Sequence, residues 1–217
     1  MMILSVLFLG LASCEKDKET KDDELSEDIQ NFVSEETLQQ LQDLGMEINK
    51  GMDPPDMEGT YVASPFEMIA TSIENDYYPV GSIISDYYFR LYDQDNEDMT
   101  IKIDYANGPE TGTGMGGFIS GNDDEFSVFI EVEVETNGYK ATVLQLISGT
   151  MTDDGIKDFY FANWMLDNNG NESGYYIDEE TGRVFIDNDE DTPFTDYNFK
   201  STKSTVNSVL PGAAGIK

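Results

Sequence analysis

Apolar and polar residues alternate along much of the chain between residues 59 and 187, and this alternation predicts β-strands. The clearest runs are FSVFIEVEVE, which begins at Phe126, and YKATVLQLIS, which begins at Tyr139. The turn Thr136-Asn137-Gly138 separates them, and the turn Asp153-Asp154-Gly155 leads into a third run. Strands joined by such short turns pair as antiparallel neighbours. The pattern therefore predicts an antiparallel meander at the centre of the fold.

Weaker strand patterns extend the meander on both sides, at residues 59–64, 86–92, 99–105, 113–120, 174–178 and 182–187. An antiparallel meander must close on itself or cover its edges. We therefore expect a mainly β fold closed as an up-and-down barrel, with a β-sandwich as the alternative. The opening Gly59-Thr60-Tyr61, a glycine shortly before an aromatic residue, resembles the first strand of lipocalin-like barrels. That resemblance implies a closed, lipocalin-like barrel.

Two stretches near the start of the β region lack a clear strand pattern. Ser64-Pro65-Phe66-Glu67 has the spacing of a capping box, which favours a short helix after Ser64. Residues 72–85 fit neither a helical nor a strand periodicity, so a loop is expected there.

One helix is predicted between Ser34 and Gly45. Ser34 is a favourable N-cap, acidic residues follow it in the first turn, and Gly45 suits the left-handed position after a helix end. The helix has a narrow apolar stripe formed by Leu38, Leu41 and Leu44. A helix of about ten residues is marginally stable alone, so we expect it to pack on the β domain. A helix that binds a partner is the alternative.

The first fourteen residues, MMILSVLFLGLASC, are typical of a secretory signal. An apolar run ends in small residues before Cys14, the single cysteine of the chain. Leu11-Ala12-Ser13-Cys14 resembles the lipobox of bacterial lipoproteins. The resemblance implies a signal peptide at residues 1–13, which is removed, and acylation of Cys14, which anchors the protein to a membrane.

The sequence after Cys14 predicts a tether followed by one domain. Residues 14–33 are rich in charge and are expected to form a solvated acidic tether. Within it, Lys16-Asp17-Lys18-Glu19 and Lys21-Asp22-Asp23-Glu24 resemble the signals that direct Bacteroidota-type lipoproteins to the outer face of the outer membrane. Residues 34–58 are assigned to the helix and a Pro-rich linker, residues 59–200 to the β domain, and residues 201–217 to a loose C-terminal tail.

Charge and composition exclude several classes of function. The formal net charge is −32, from 44 acidic and 12 basic residues, which disfavours binding to nucleic acid phosphates. The chain has no His, which excludes Ser-His and Cys-His nucleophile pairs and His-based metal sites. A single Cys excludes an intrachain disulfide.

Calcium is the one metal that the sequence suggests, through acidic turns with oxygen ligands at alternate positions. The best candidate is the turn with the most carboxylates, formed by Asp187, Asp189 and Asp191. Ordinary hairpin-turn chemistry, which also favours Asp, is the alternative.

Aromatic side chains are the remaining candidates for ligand binding. In the strand at 156–166, Tyr160 and Trp164 share one face, and Phe159 and Phe161 share the other. One of these faces must be core, and the second can line a cavity, pack under the helix or offer a stacking surface. The candidate contacts are Trp164, Tyr160 and Tyr88.

Three hypotheses for function follow from these patterns. The first is a non-catalytic envelope lipoprotein that binds a small apolar molecule, a glycan or a protein. The second is a structural or accessory surface lipoprotein without a small ligand. The third and weakest is a carboxylate-dependent hydrolase built on Glu131, Glu133 and Glu135, which share a strand face that is expected to lie in water. A formal GxGxxG at Gly112–Gly117 precedes strand residues rather than a helix, so it predicts glycines at a barrel corner or a bulged strand instead of a nucleotide site.

Overall fold

The computed structural model of the chain describes residues 24–108, 110–136, 138–172 and 174–199. The predicted signal peptide, the predicted lipidation site at Cys14 and the predicted tail at 201–217 lie outside the described residues. Residues 14–23 of the predicted tether lie outside them as well.

Two helices precede the strands in the described part of the chain. They are α1 (Glu27–Phe32) and α2 (Glu35–Asp43). The strands are β1 (Gly59–Ala63), β2 (Phe66–Thr71), β3 (Ile83–Ile84), β4 (Tyr87–Asp95), β5 (Thr100–Asn107), β6 (Glu110–Asn122), β7 (Glu125–Thr136), β8 (Tyr139–Thr152), β9 (Gly155–Asp167), β10 (Gly182–Asp187) and β11 (Asp191–Pro193).

The strands form one antiparallel sheet in the order β1-β4-β5-β6-β7-β8-β9-β10-β2-β3, and β11 pairs with the beginning of β9. From β4 to β10 each strand pairs with the next one along the chain, which confirms the predicted antiparallel meander. The sheet curls into an open half-barrel behind a short N-terminal helical segment. The prediction of a mainly β fold is therefore confirmed.

The structure corrects three of the predicted elements. Within residues 72–85, which were expected to form a loop, Ile83 and Ile84 form strand β3 because they pair with Glu67 and Phe66 of β2. The short helix expected after Ser64 is instead strand β2, because Phe66 and Met68 are both buried and their alternation places them on one side of the sheet. Residues 174–178 are not a strand. There, the side chain of Asn171 accepts a hydrogen bond from the main-chain N–H of Tyr176 and donates one to its carbonyl, so both groups are used locally.

The larger of the two hydrophobic cores among the described residues, the inner core, lies on the inner face of the half-barrel. Its largest buried side chains are aromatic rings from strands across the whole sheet, namely Tyr61, Phe66, Tyr87, Phe89, Tyr105, Phe126, Phe159 and Phe161. Phe66 stacks on Tyr87 with ring centroids 5.4 Å apart, although these residues lie on strands that do not pair. The rings therefore join strands that the main-chain hydrogen bonds do not connect.

Residues 25–48, which we call the N-terminal segment, cover the outer face of the central strands. Together with side chains of that face they form the second hydrophobic core, the outer core. Ile29 of α1 and Leu41 of α2 are fully buried there, together with Leu144, Ala162, Trp164 and Val184 of the sheet. The predicted helix is confirmed, with Thr37 donating its N–H to the Ser34 side chain and Gly45 at φ 91°. Residues 27–32, assigned from sequence to the end of the tether, form α1 and belong to this core.

A row of serines fixes the linker to the sheet. Ser120, Ser127 and Ser148 lie opposite one another on β6, β7 and β8, and all three are buried. The Ser127 hydroxyl accepts the N–H of Asn49 at 2.8 Å, and the Ser120 hydroxyl donates to the Asn49 carbonyl at 2.6 Å. Ser148 donates to the carbonyl of Glu47 at 2.7 Å. The linker predicted from sequence is thus a hydrogen-bonded ribbon across the outer face.

Candidate functional site

Among the described residues, large aromatic rings fill the inner face of the half-barrel. The eight rings named above are each exposed by 1% or less. A ring that lined a water-sized cavity would expose part of its surface to that cavity. The interior of the half-barrel is therefore occupied by the protein's own aromatic residues.

Trp164 and Tyr160, two of the predicted ligand contacts, lie on the outer face with the N-terminal segment. Trp164 is 1% exposed, and its indole N–H has no hydrogen-bond partner among the described residues. Tyr160 is half-buried at the margin of the same cluster, where burial raises the pKa of its hydroxyl and the nearby carboxylates of Glu47, Asp158 and Glu190 raise it further. A ligand reaches Trp164 only if the N-terminal segment moves away.

Tyr88, the third predicted contact, lies apart from that cluster on β4. Its ring stacks on Tyr197 at 4.2 Å between centroids and with an angle of 22° between planes. A surface cleft of about 420 Å³ lies beside the pair and is lined by Ser85, Asp86, Tyr88, Ala106, Gly108 and Tyr197. The structure thus joins Trp164 with Tyr160 and places Tyr88 elsewhere, and ligand binding by these residues stays a prediction.

Asp187, Asp189 and Asp191 occupy the turn from β10 to β11, but they do not converge on one point. The Asp187 carboxylate is buried and accepts hydrogen bonds from the N–H of Ser64 at 3.1 Å and from the Thr192 hydroxyl at 2.7 Å. Asp189 accepts the N–H of Asp191, and Asp191 lies 3.8 Å from the ammonium of Lys157. Among the described residues, no group of three or more His, Cys, Asp or Glu side chains is placed to hold a metal ion.

The environment of Asp187 changes its acidity. Burial raises the pKa of Asp187 from 3.8 to about 6, against the opposing effect of the Thr192 and Ser64 hydrogen bonds, and the neighbouring Asp189 carboxylate raises it further. Asp187 connects the corner between β1 and β2 with β11, so its protonation state affects the contact between those elements.

The glycine-rich run lies inside strand β6, where a nucleotide site has no helix N-terminus to use. The register of the β5–β6 pair shifts between Ile103 and Tyr105, opposite this run. A side chain at Gly112 would collide with the Tyr105 ring. The predicted bulged strand is confirmed.

Sequence reasoning missed a cluster built around Arg183. Its guanidinium binds both carboxylate oxygens of Asp76, with Nε–Oδ2 at 2.7 Å and Nη2–Oδ1 at 2.5 Å. Burial raises the pKa of Asp76, but the hydrogen bonds from Arg183, Thr71 and the N–H of Tyr78 outweigh burial and leave the pKa below 3.8. Arg183 also lies 5.5 Å from the centre of the Tyr78 ring. The signal that could have indicated a buried ion pair was the position of Arg183, in a strand whose other residues are mostly buried on both faces.

Comparisons with known proteins add no relative. No family model, no curated protein and no solved structure matches this chain. Within the described ranges, no helix has the length and apolar character needed to cross a bilayer.

Proposed function

We propose that this chain is a lipid-anchored protein of the bacterial cell envelope, held in the outer membrane by acylated Cys14 and displayed at the cell surface. The support is the sequence Leu11-Ala12-Ser13-Cys14 after an apolar run, followed by a charged segment. Its β domain is a non-catalytic interaction module for a protein partner, rather than a carrier of a small molecule.

One observation carries the choice between carrier and interaction module. The eight large rings of the inner face are 0–1% exposed, so the volume that a carrier would offer to its ligand is filled by side chains. The filled interior instead gives a rigid body on which surface loops can be presented. Glu131, Glu133 and Glu135 are exposed on β7, so they lie in water rather than in a cleft that could hold a substrate.

In this proposal the half-barrel is closed into a lipocalin-like barrel. The support is an isolated bridge between Tyr61 of β1 and Phe194, and the hydrogen bond from the N–H of Thr195 to the carbonyl of Thr60 at 2.8 Å. Since β11 pairs with β9, these contacts return the chain from β9 to β1. Amide hydrogen exchange tests this step: a closed barrel protects the Thr195 amide as strongly as amides of β8, and rapid exchange at Thr195 contradicts closure.

The anchor is tested by labelling cells with a palmitate analogue in a bacterial host that processes lipoproteins. The wild-type chain is expected to take up the label and to remain with the outer-membrane fraction. Cys14→Ser is expected to lose both properties, while Ser13→Ala, a control at the adjacent position, keeps them. An unlabelled wild-type chain contradicts the lipoprotein proposal.

Native mass spectrometry of the chain purified from its source envelope tests the interaction module against the carrier. We expect a bare polypeptide mass, apart from the lipid, with and without EDTA. A reproducible additional small-molecule mass contradicts a filled interior. Losses of about 40 Da on chelation would establish calcium in an acidic turn.

A further inference from the structure

The loop between β2 and β4 exposes the most accessible large apolar side chains of the described residues. Tyr77 is 71% exposed, Val80 60% and Ile83 55%. We call these three side chains the apolar loop face. Isolated apolar residues on a surface need no explanation, but three with this exposure within seven positions are typical of an interaction site.

The same loop is anchored by its other side chains, so the exposure is not that of a loose segment. Ile73, Tyr78 and Ile84 pack against the inner core, and they alternate with members of the apolar loop face at Tyr77–Tyr78 and Ile83–Ile84. The Asp76 carboxylate, bound to Arg183, also accepts the Tyr78 N–H at 3.1 Å and the Thr71 hydroxyl at 2.7 Å. These contacts fix which side chains point outward.

Main-chain hydrogen bonds hold the second half of the loop. The N–H of Gly81 donates to the carbonyl of Met68 at 2.8 Å, and the N–H of Met68 donates to the carbonyl of Ser82 at 3.0 Å. At the end of the loop, the Asn107 side chain donates to the carbonyls of Ser85 and Asp86. A face fixed before binding loses little conformational entropy when a partner docks.

The position of the loop leaves this face uncovered by the sheet. β3, which contains Ile83, is the last strand in the order and pairs with β2 alone among the described strands. The N-terminal segment packs on the outer face of the central strands, and its cluster reaches β2 at Ile69 and Ala70 but does not include Tyr77, Val80 or Ile83. The described chain therefore places no element over Tyr77, Val80 and Ile83.

Charge around the apolar loop face determines what fits it. Residues 72–86 contain Glu74, Asp76 and Asp86 and no Lys or Arg, and Glu67 lies directly opposite Ile83 on β2. The nearby Arg183 is 4% exposed and already neutralised by Asp76. The surface thus presents apolar groups among carboxylates, which repels a second copy of this chain and anionic lipid alike.

We propose that the apolar loop face docks a segment of a partner protein in which aliphatic residues are flanked by Lys or Arg. The aliphatic residues cover Tyr77, Val80 and Ile83, and the cations pair with Glu67, Glu74 and Asp86. The inference rests on the proposed role of the domain as an interaction module and names the chemistry of its partner.

Selection from a displayed library of random linear peptides on the full chain tests the proposal. Peptides are selected for binding to the wild-type chain. Their affinity is then compared with their affinity for a variant that carries Tyr77→Ser, Val80→Ser and Ile83→Ser and keeps every charge. The recovered peptides are expected to combine aliphatic residues with Lys or Arg and to bind this variant about tenfold or more weakly. A second variant, Glu67→Gln with Glu74→Gln and Asp86→Asn, is expected to weaken the same peptides and to reduce their salt dependence.

A matched control uses exposed aromatic residues from a different part of the chain. Tyr139→Ser with Tyr175→Ser removes two side chains that are 47% and 39% exposed, and peptide affinity is expected to stay unchanged. Equal thermal unfolding midpoints for wild type and all variants show that the folds are intact. Peptides that bind the loop variant as tightly as wild type, peptides without cations, or no enriched peptides overturn the proposal.

Two other occupants of the face have their own readouts. Sedimentation with neutral phosphatidylcholine vesicles that is lost in the loop variant would make a membrane the occupant and overturn the proposal. A concentration-dependent dimer that is lost in the same variant would make a second copy of the chain the occupant and would also overturn the proposal. Failure of Cys14 labelling with a successful selection rejects the envelope location alone, whereas a small-molecule mass with a failed selection rejects the interaction module itself.

Discussion

Arg183 and Asp76 lie 107 positions apart in the chain and form a bidentate ion pair in which both side chains are 4% exposed. The pair joins β10 to the loop that follows β2, and it holds that loop against the inner core. A buried pair adds little net stability compared with apolar residues, but loss of one partner leaves an uncompensated charge. Its main consequence is therefore the fixed geometry of the loop.

Removal of Arg183 is expected to destabilise the fold strongly. Arg183→Met leaves the Asp76 carboxylate buried without its main partner, at a cost of about 3–5 kcal/mol in the free energy of unfolding, measured by urea titration. Lys157→Met is the control, because Lys157 and Asp191 form an exposed pair at 3.8 Å, and its unfolding midpoint should match wild type. Equal midpoints for both variants would show that the buried pair contributes nothing.

Asp187 is expected to give the protein a pH dependence of unusual sign for a carboxyl. Its folded pKa of about 6 is raised above 3.8, so its contribution is fully present below pH 3.8 and is lost as the pH rises through 6. Asp187→Asn keeps a neutral acceptor for Ser64 and Thr192. Relative to this variant, wild type should lose ~1–3 kcal/mol between pH 4 and pH 8.

Urea unfolding of both chains at several pH values measures the difference. Asp153→Asn, at an exposed turn, is the control and should follow wild type across the range. A constant difference between wild type and Asp187→Asn from pH 4 to pH 8 would show that the carboxyl titrates normally.

The N-terminal segment is expected to contribute a large part of the stability. Leu41→Ala removes a fully buried side chain from the outer core and should cost about 2–5 kcal/mol. Trp164, the only tryptophan, belongs to the same core and reports locally through the wavelength and quenching of its fluorescence. Gln42→Ala, at an exposed position of α2, should leave both readouts unchanged. Unaltered stability of Leu41→Ala would show that the segment is not docked in solution.

Two glycines of β6 are expected to differ in their tolerance of a side chain. A Cβ at Gly112 would collide with the buried Tyr105 ring, so Gly112→Ala should lower the thermal unfolding midpoint by several degrees. A Cβ at Gly116 meets no heavy atom within 4 Å, so Gly116→Ala should leave the midpoint near that of wild type. Equal effects at the two positions would contradict the close approach of β5 and β6 at Gly112.

Local signals predicted the elements that depend on local interactions. Ser34 and Gly45 bound α2 because capping uses groups within one turn of the helix. The hairpin of β7 and β8 followed from a short turn between two alternating runs, and its register pairs Thr136 with Tyr139. The same local view failed at Ser64, where the capping-box spacing was present but the chain formed β2. Burial of Phe66 in a distant core outweighed the local signal.

Contacts between distant residues were beyond prediction. The hydroxyls of Ser120, Ser127 and Ser148 bind the linker because three strands place them in one row, and that row exists only after the register is set. Asp76 stood in a stretch without periodicity, and nothing in its neighbourhood pointed to Arg183. The candidate contacts Trp164 and Tyr88 were paired by residue type, whereas the structure separates them because they lie on different parts of the curved sheet.

The sequence by itself determined that Tyr160 and Trp164 share one face of β9 while Phe159 and Phe161 share the other, because side chains alternate along any strand. It also determined the antiparallel meander and the second helix, whose turns and caps are local. Only the tertiary structure decided that the Phe face fills the interior and that the Trp face lies under α1 and α2. The physical reason is that interior volume depends on how far the sheet curls and on which rings meet across it, and neither quantity is a property of any one stretch of the chain.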